Sequence, residues 1–113
     1  MESKAKRTLV KSAPELWELA DDPARMQAWM AGLTGARAPT PVEVVAREPG
    51  RVLAWRETDP QPGARIVIEL AASGFGTAVQ ITAEHGRTDP ADAIAALEGV
   101  LDELGSPERR PFV

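Results

Sequence analysis

A chain of 113 residues, 43% hydrophobic and 27% charged, has the size and composition of one globular domain. It can hide roughly two-thirds of its unfolded surface and leaves no room for a second core. Its 13 Lys and Arg against 17 Asp and Glu give a net charge of −4, and the basic residues are scattered except for Lys4, Lys6, Arg7 and Lys11. Nucleic acid and anionic membrane are therefore not expected as partners, because both require a concentrated positive field.

Cysteine is absent, which excludes disulfides, thiolate nucleophiles and cysteine-held metals. The opening Met1-Glu2-Ser3-Lys4-Ala5-Lys6-Arg7 lacks the apolar run of a secretory leader, and no later stretch is long enough to span a bilayer, so a cytoplasmic location is expected. Residues 1–6 and 106–113 read as flexible tails around a single domain.

In chain order, Arg7 to Lys11 reads as a short strand. At Ser12 a helix start is written: its hydroxyl can cap the free amides while Glu15 reaches back in a capping box, and Pro14 is tolerated in the first turn. That helix buries Leu16, Leu19 and Ala20, with Trp17 beside them. Asp21-Asp22-Pro23 stops it and opens a second, in which Met26, Trp29, Met30 and Leu33 share one face before Gly32 and Gly35 end it.

From Val42 the period changes to two. Val42, Val44 and Ala46 alternate with Glu43, Val45 and Arg47, and Glu48-Pro49-Gly50-Arg51 has the residues of a type II turn. Leu53 and Trp55 return on one face, and a Pro-rich loop follows at Asp59-Pro60-Gln61-Pro62-Gly63. Ile66, Ile68 and Leu70 then lead through the turn Ser73-Gly74-Phe75-Gly76 to Val79, Ile81 and Ala83. Such strands form an antiparallel meander with one dry face. The last element starts at Asp89-Pro90, with Asp92 near its N-terminus, and carries a stripe of Ile94, Leu97, Leu101 and Leu104 ended by Gly105. Gly99 in its middle is expected to mark a close approach to the sheet or the short helices. The fold class is thus α+β: a curved antiparallel sheet of about five strands, two short helices and a long C-terminal helix on the concave face.

Three segments carry a family resemblance. The run from Ser12 to Met30 resembles an opening signature in which a Pro-x-x-(Val/Leu)-Trp helix leads to Asp-Pro and a helix ending in Trp plus an aliphatic residue. Val44 to Trp55 is similar to a strand, Glu-Pro turn and strand, and Gly76-Thr77-Ala78-Val79-Gln80-Ile81-Thr82 to a Gly-Thr-x-(Val/Leu)-x-(Ile/Leu)-Thr hairpin strand. Together they resemble the START-like (SRPBCC, helix-grip) superfamily, in the branch homologous to the activator of heat-shock-protein ATPase. The resemblance implies a sheet gripping the closing helix, an apolar ligand between them or a protein partner, and no cofactor. It is a shortened form. Only about ten residues separate the second helix from Val42, where the superfamily places two further strands, so Val42 to Glu48 is expected at a sheet edge and suited to a weak homodimer.

No catalytic or metal-binding set stands out. His85, the only histidine, reads as an exposed turn residue, and the glycines at 74 and 76 sit in a hairpin rather than a phosphate loop. The serines lack a histidine in any recognisable motif. The residues that could line a small-molecule site are Trp17, Met26, Trp29, Met30, Trp55, Phe75, Leu97 and Leu101, since adaptable Met beside rigid indoles suits an apolar ligand. The same side chains also suit plain core. Chemistry of the cyclase or dehydratase kind, found elsewhere in the superfamily, would require His85 and a carboxylate in an enclosed cavity.

Overall fold

The structure is a computed structural model and describes residues 1–58, 63–86 and 89–106. Eight elements follow in the order β1 (Glu2–Leu9), α1 (Ala13–Ala20), α2 (Pro23–Thr34), β2 (Val42–Glu48), β3 (Val52–Glu57), β4 (Arg65–Ser73), β5 (Gly76–Glu84) and α3 (Pro90–Gly105). The strands form one curved antiparallel sheet in the spatial order β1-β5-β4-β3-β2, which leaves β1 and β2 at its edges. Residues 35–41 between α2 and β2 contain no strand, so the sheet has five.

The helix starts follow local chemistry. Ser12 Oγ accepts from Glu15 N while Glu15 Oε1 accepts from Ser12 N, which completes the capping box. Asp22 and Asp89 cap α2 and α3 by accepting from the backbone two residues on, each followed by proline at the first helical position. Gly35 closes α2 in the left-handed region at φ 79°. The β2–β3 turn has Gly50 at φ 75° with Arg51 N donating to Glu48 O at 2.9 Å, as its Pro-Gly pair requires.

One sheet face is dry. Ala5 and Leu9, Val79, Ile81 and Ala83, Ile66, Ile68 and Leu70, and Leu53 and Trp55 meet the buried residues of the helices in one core. The α2 face is the expected one: Met26, Trp29, Met30 and Leu33 are buried. α3 lies along β1 and against α2. Burying each large apolar side chain contributes roughly 1.5–3 kcal/mol before entropy is subtracted, which makes this docking the main source of stability.

Four expectations are corrected here. β1 begins at Glu2, not Arg7: Ser3, Ala5 and Leu9 alternate onto the dry face, and Glu2 to Leu9 register with Glu84 to Thr77, so the N-terminal residues are strand rather than tail. The α3 stripe is Ala93, Leu97, Val100, Leu101 and Leu104; Ile94 is 41% exposed because it sits at the rim of that arc. Gly99 faces open space, and the close approach belongs to Gly105, which is itself helical and whose Cβ would lie 3.0 Å from Leu9 Cδ2. His85 is 6% exposed, held inside by the edge strand beside it. The loop from Asp59 to Pro62 and the tail from Pro107 onward lie outside the described residues.

Arg7, on the dry side of β1, reaches up to α3. Its guanidinium donates to Asp102 Oδ1 at 2.5 Å and to Glu98 Oε2 at 2.6 Å. The hydrogen bond to Asp102, with Glu98 adding to it, raises the arginine's pKa above its ordinary value against the opposing effect of burial. A second tie joins the helices, with Trp29 Nε1 donating to Glu103 Oε2 and Arg25 3.6 Å from Glu103 Oε1.

Because a Cβ at position 99 meets nothing within 4 Å, Gly99→Ala gains helix propensity without a clash. It is expected to stabilise the protein by about 1 kcal/mol, read as a higher urea midpoint at unchanged slope. A lower midpoint would mean that the residue has a packing role after all.

Candidate functional site

The sequence points to a site between sheet and helices. Of the eight residues proposed to line it, Met26, Trp29, Met30, Trp55, Leu97 and Leu101 are brought together in the core, and Trp17 packs against it half-buried. Phe75 is not with them. It stands at the β4–β5 turn at 106% relative exposure, because its two-residue hairpin projects beyond the end of the core. Met26, Met30, Leu97 and Leu101 are completely enclosed by other side chains.

Among the described residues two buried side-chain atoms have no hydrogen-bond partner: Trp55 Nε1 in the core and Thr40 Oγ1 in the segment leading into β2. Both belong to the β2–β3 side. Trp55 pairs across with Val44, Val42 pairs with Glu57, and Thr58 N donates to Pro41 O at 3.0 Å, so the residues leading into β2 lie beside the end of β3. Leaving a polar group desolvated costs about 1–3 kcal/mol, so both atoms are exceptions to the usual pairing of buried polar groups.

A buried polar pair lies at the opposite edge. Ser3 Oγ and His85 Nε2 are hydrogen-bonded at 2.9 Å, and His85 N donates to Met1 O at 2.9 Å. Both side chains are buried, so the serine is not presented to a substrate. No group of three or more His, Cys, Asp or Glu among the described residues could hold a metal ion. No described helix is long and apolar enough to cross a membrane.

The most exposed large apolar side chains gather at one end of the molecule. Phe75 and Val10, the latter 90% exposed, border a shallow depression of about 500 Å³ with Ala13, Ala72 and Gly76. A neighbouring depression of about 530 Å³ shares Ala13 and Ala72 and adds Lys6, Arg51, Glu69 and Gln80. Sequence reasoning did not single out Val10. Its signal was present as an apolar residue between the strand and the capping serine, where neither element can cover it. Gly76 is required here, since a Cβ would come within 2.0 Å of Leu9 O.

The β2 edge is as expected from the shortened sequence, but it is guarded. The register shifts between Val44 and Ala46, leaving half-exposed Val45 as an extra residue. Arg47 pairs with Asp21 at 2.7 Å and Arg56 Nε donates to Glu43 at 2.6 Å. A bulge and fixed charges are the usual means of blunting an edge strand.

The filled interior and the exposed end predict opposite mutational costs. Leu97→Ala is expected to lose about 2–5 kcal/mol of stability, and Phe75→Ser to stay within about 0.5 kcal/mol of the parent, both measured by urea unfolding. A large loss at Phe75 would mean that the hairpin tip is covered.

No family model matches the chain, and no curated protein matches it. Solved structures do. The chain is similar to the Aha1 dimer from Colwellia psychrerythraea at a TM-score of 0.67 and 16% identity, covering 93% of this chain and 96% of that one. It is similar to the AHSA1-like protein from Aeromonas hydrophila at 0.66 and 17%, covering 93% and 90%. A Deinococcus radiodurans protein aligns at 0.65 and 17%, covering 92% and 97%. At these identities the likeness concerns the fold, and it agrees with the sheet, the three helices and the closing helix described above. The chain therefore has the helix-grip fold seen in these Aha1-type structures, in a five-stranded form.

Proposed function

We propose that this chain is a non-enzymatic START-like module of the cytoplasm that works by protein contact through its Val10–Phe75 end. The observation supporting this is a fully exposed phenylalanine beside a nearly fully exposed valine, next to two shallow depressions. The surrounding charge indicates the kind of partner. Lys6 and Arg51 line the neighbouring depression and make no ion pair among the described residues, whereas Lys4, Arg7, Arg25, Arg47 and Arg56 are all paired. Among the described residues Glu69 is the only carboxylate lining that depression. The partner is an acidic protein segment that brings an apolar side chain to Phe75.

The test replaces Phe75 with the photoreactive benzoyl-phenylalanine and irradiates cells expressing the full chain. A discrete adduct that disappears with Lys6→Glu and Arg51→Glu is the expected result. No adduct, or one indifferent to those charge reversals, overturns the reading.

Two further readings have an observation each. The exposed β2 edge favours a weak homodimer, as does the likeness to the Colwellia Aha1 dimer. Light scattering at high concentration should then show a mass above that of the monomer that Val44→Lys returns to it; a monomer throughout removes the idea. The other is a small apolar ligand in the groove between sheet and helices, lined by Trp17, Met26, Trp29, Met30, Trp55, Leu97 and Leu101. It is favoured by the unsatisfied polar atoms of Trp55 and Thr40.

A further inference from the structure

We infer that the outer edge of β1 takes an extended acidic segment as a sixth, antiparallel strand. The inference rests on the protein-contact reading and adds the surface along which the partner lies. Backbone direction is its first support. His85 N donates to Met1 O and Met1 N to His85 O, each at 2.9 Å, so these two residues form a hydrogen-bonded pair of the antiparallel ladder. In the continuous register that follows, such pairs recur at Ser3, Ala5, Arg7 and Leu9. The placement of Leu9 O against Gly76 of β5 agrees with this. The N–H and C=O groups of Glu2, Lys4, Lys6 and Thr8 therefore point away from β5, and no strand lies on that side.

This edge is less guarded than its counterpart. β1 has neither a register shift nor a proline between Glu2 and Leu9, whereas β2 carries a bulge and two fixed ion pairs. The residues whose amides point outward are also those whose side chains are exposed, which joins the hydrogen-bonding edge to the charge of Lys4 and Lys6. Lys6 has no ion pair among the described residues, and Lys4 meets Glu2 at 3.5 Å between two exposed side chains, a contact of little strength. Their neighbours across on β5, Thr82 and Gln80, are neutral.

Charge selects the occupant. Residues directly opposite one another in an antiparallel pair share a face, so acidic residues of an added strand would stand against Lys4 and Lys6. A second β1 would set these lysines against each other, which disfavours self-pairing. The alternate residues of the segment face α3 and should be apolar. Acidic ones would meet Glu98 and Asp102, which already share Arg7. Ile94, four residues before Glu98, lies on that same flank of α3 and is 41% exposed. Glu2 repels acid at the start of the strand, so the acidic stretch lies from Lys4 onward and leads to Val10.

Amide hydrogen exchange of the full chain, read residue by residue by NMR, tests this. In the free protein Lys4, Lys6 and Thr8 are expected to exchange faster than Ala5, Arg7 and Leu9. A blocked peptide of alternating Asp and Val, as long as β1, should slow those three amides about tenfold when present at about ten times its Kd, and should shift the Phe75 resonances. The same peptide N-methylated at its aspartates, whose amides would face β1, should not protect them, and Lys4→Glu should weaken the protection. Shifts at Val10 and Phe75 without slower exchange at the three amides overturn the edge and leave contact at the hairpin end standing. Protection with Phe75 unmoved upholds the edge and removes the hairpin end. Equal protection by a peptide of alternating Lys and Val overturns the acidic partner. Protection that rises with protein concentration alone does the same, because a second copy then fills the edge. No response at either place removes both.

Discussion

The fold depends on α3 staying across the dry side of the sheet. Ala93, Leu97, Val100, Leu101 and Leu104 lose nearly all contact with water there, while β1 beneath them is an edge strand with a neighbour on one side only. Edge strand and closing helix therefore secure each other. Arg7 adds direction to an otherwise non-directional apolar contact, because its bonds to Asp102 and Glu98 fix how far along β1 the helix can slide. The ion pairs are partly exposed and contribute little net stability, so burial supplies the energy and the arginine supplies the register.

A small protein built this way has little spare interior. Its large apolar side chains fill the core, and Met26, Met30, Leu97 and Leu101 are enclosed on all sides. Chemistry is thereby displaced to the margins. One margin is the Val10–Phe75 end, where a tight hairpin and a strand-to-helix junction carry apolar side chains past the limits of the core. Another is the outer edge of β1, where the sheet stops and the amides of Lys4, Lys6 and Thr8 meet no further strand. The third, the Ser3–His85 pair, serves the structure: it ties the start of β1 to the residue that follows β5.

The likeness to Aha1-type structures at 16 and 17% identity fits this division. Packing positions are constrained by the sheet and the helix, whereas exposed ends are not, so sequences can drift far while the fold is kept. Function has to be sought where the packing constraint is weakest, and the exposed end and the outer edge of β1 are both such places. The guarded β2 edge illustrates the opposite pressure: a bulge at Val45 and the fixed charges of Arg47 and Glu43 limit what an exposed strand can pair with.

The helix starts at Ser12, Asp22 and Asp89, the buried face of α2 and the alternation in β3, β4 and β5 were all determined by the sequence alone. Each is governed by residues within a few positions of one another: a cap and the amide it serves, a proline and the residue before it, a repeat of two or of three to four. The tertiary structure decided the rest, because burial depends on distant partners. Glu2 to Lys6 became strand when β5 supplied a ladder for it, and His85 went inside when Ser3 arrived beside it. Ile94 was left at the rim and Gly99 outside by the angle at which α3 settled. Of the candidate site residues, the chain's own periodicity selected the six that meet in the core together with Trp17 at its margin. Phe75, on a two-residue turn, lacked any periodic neighbour that could reveal that it points into water.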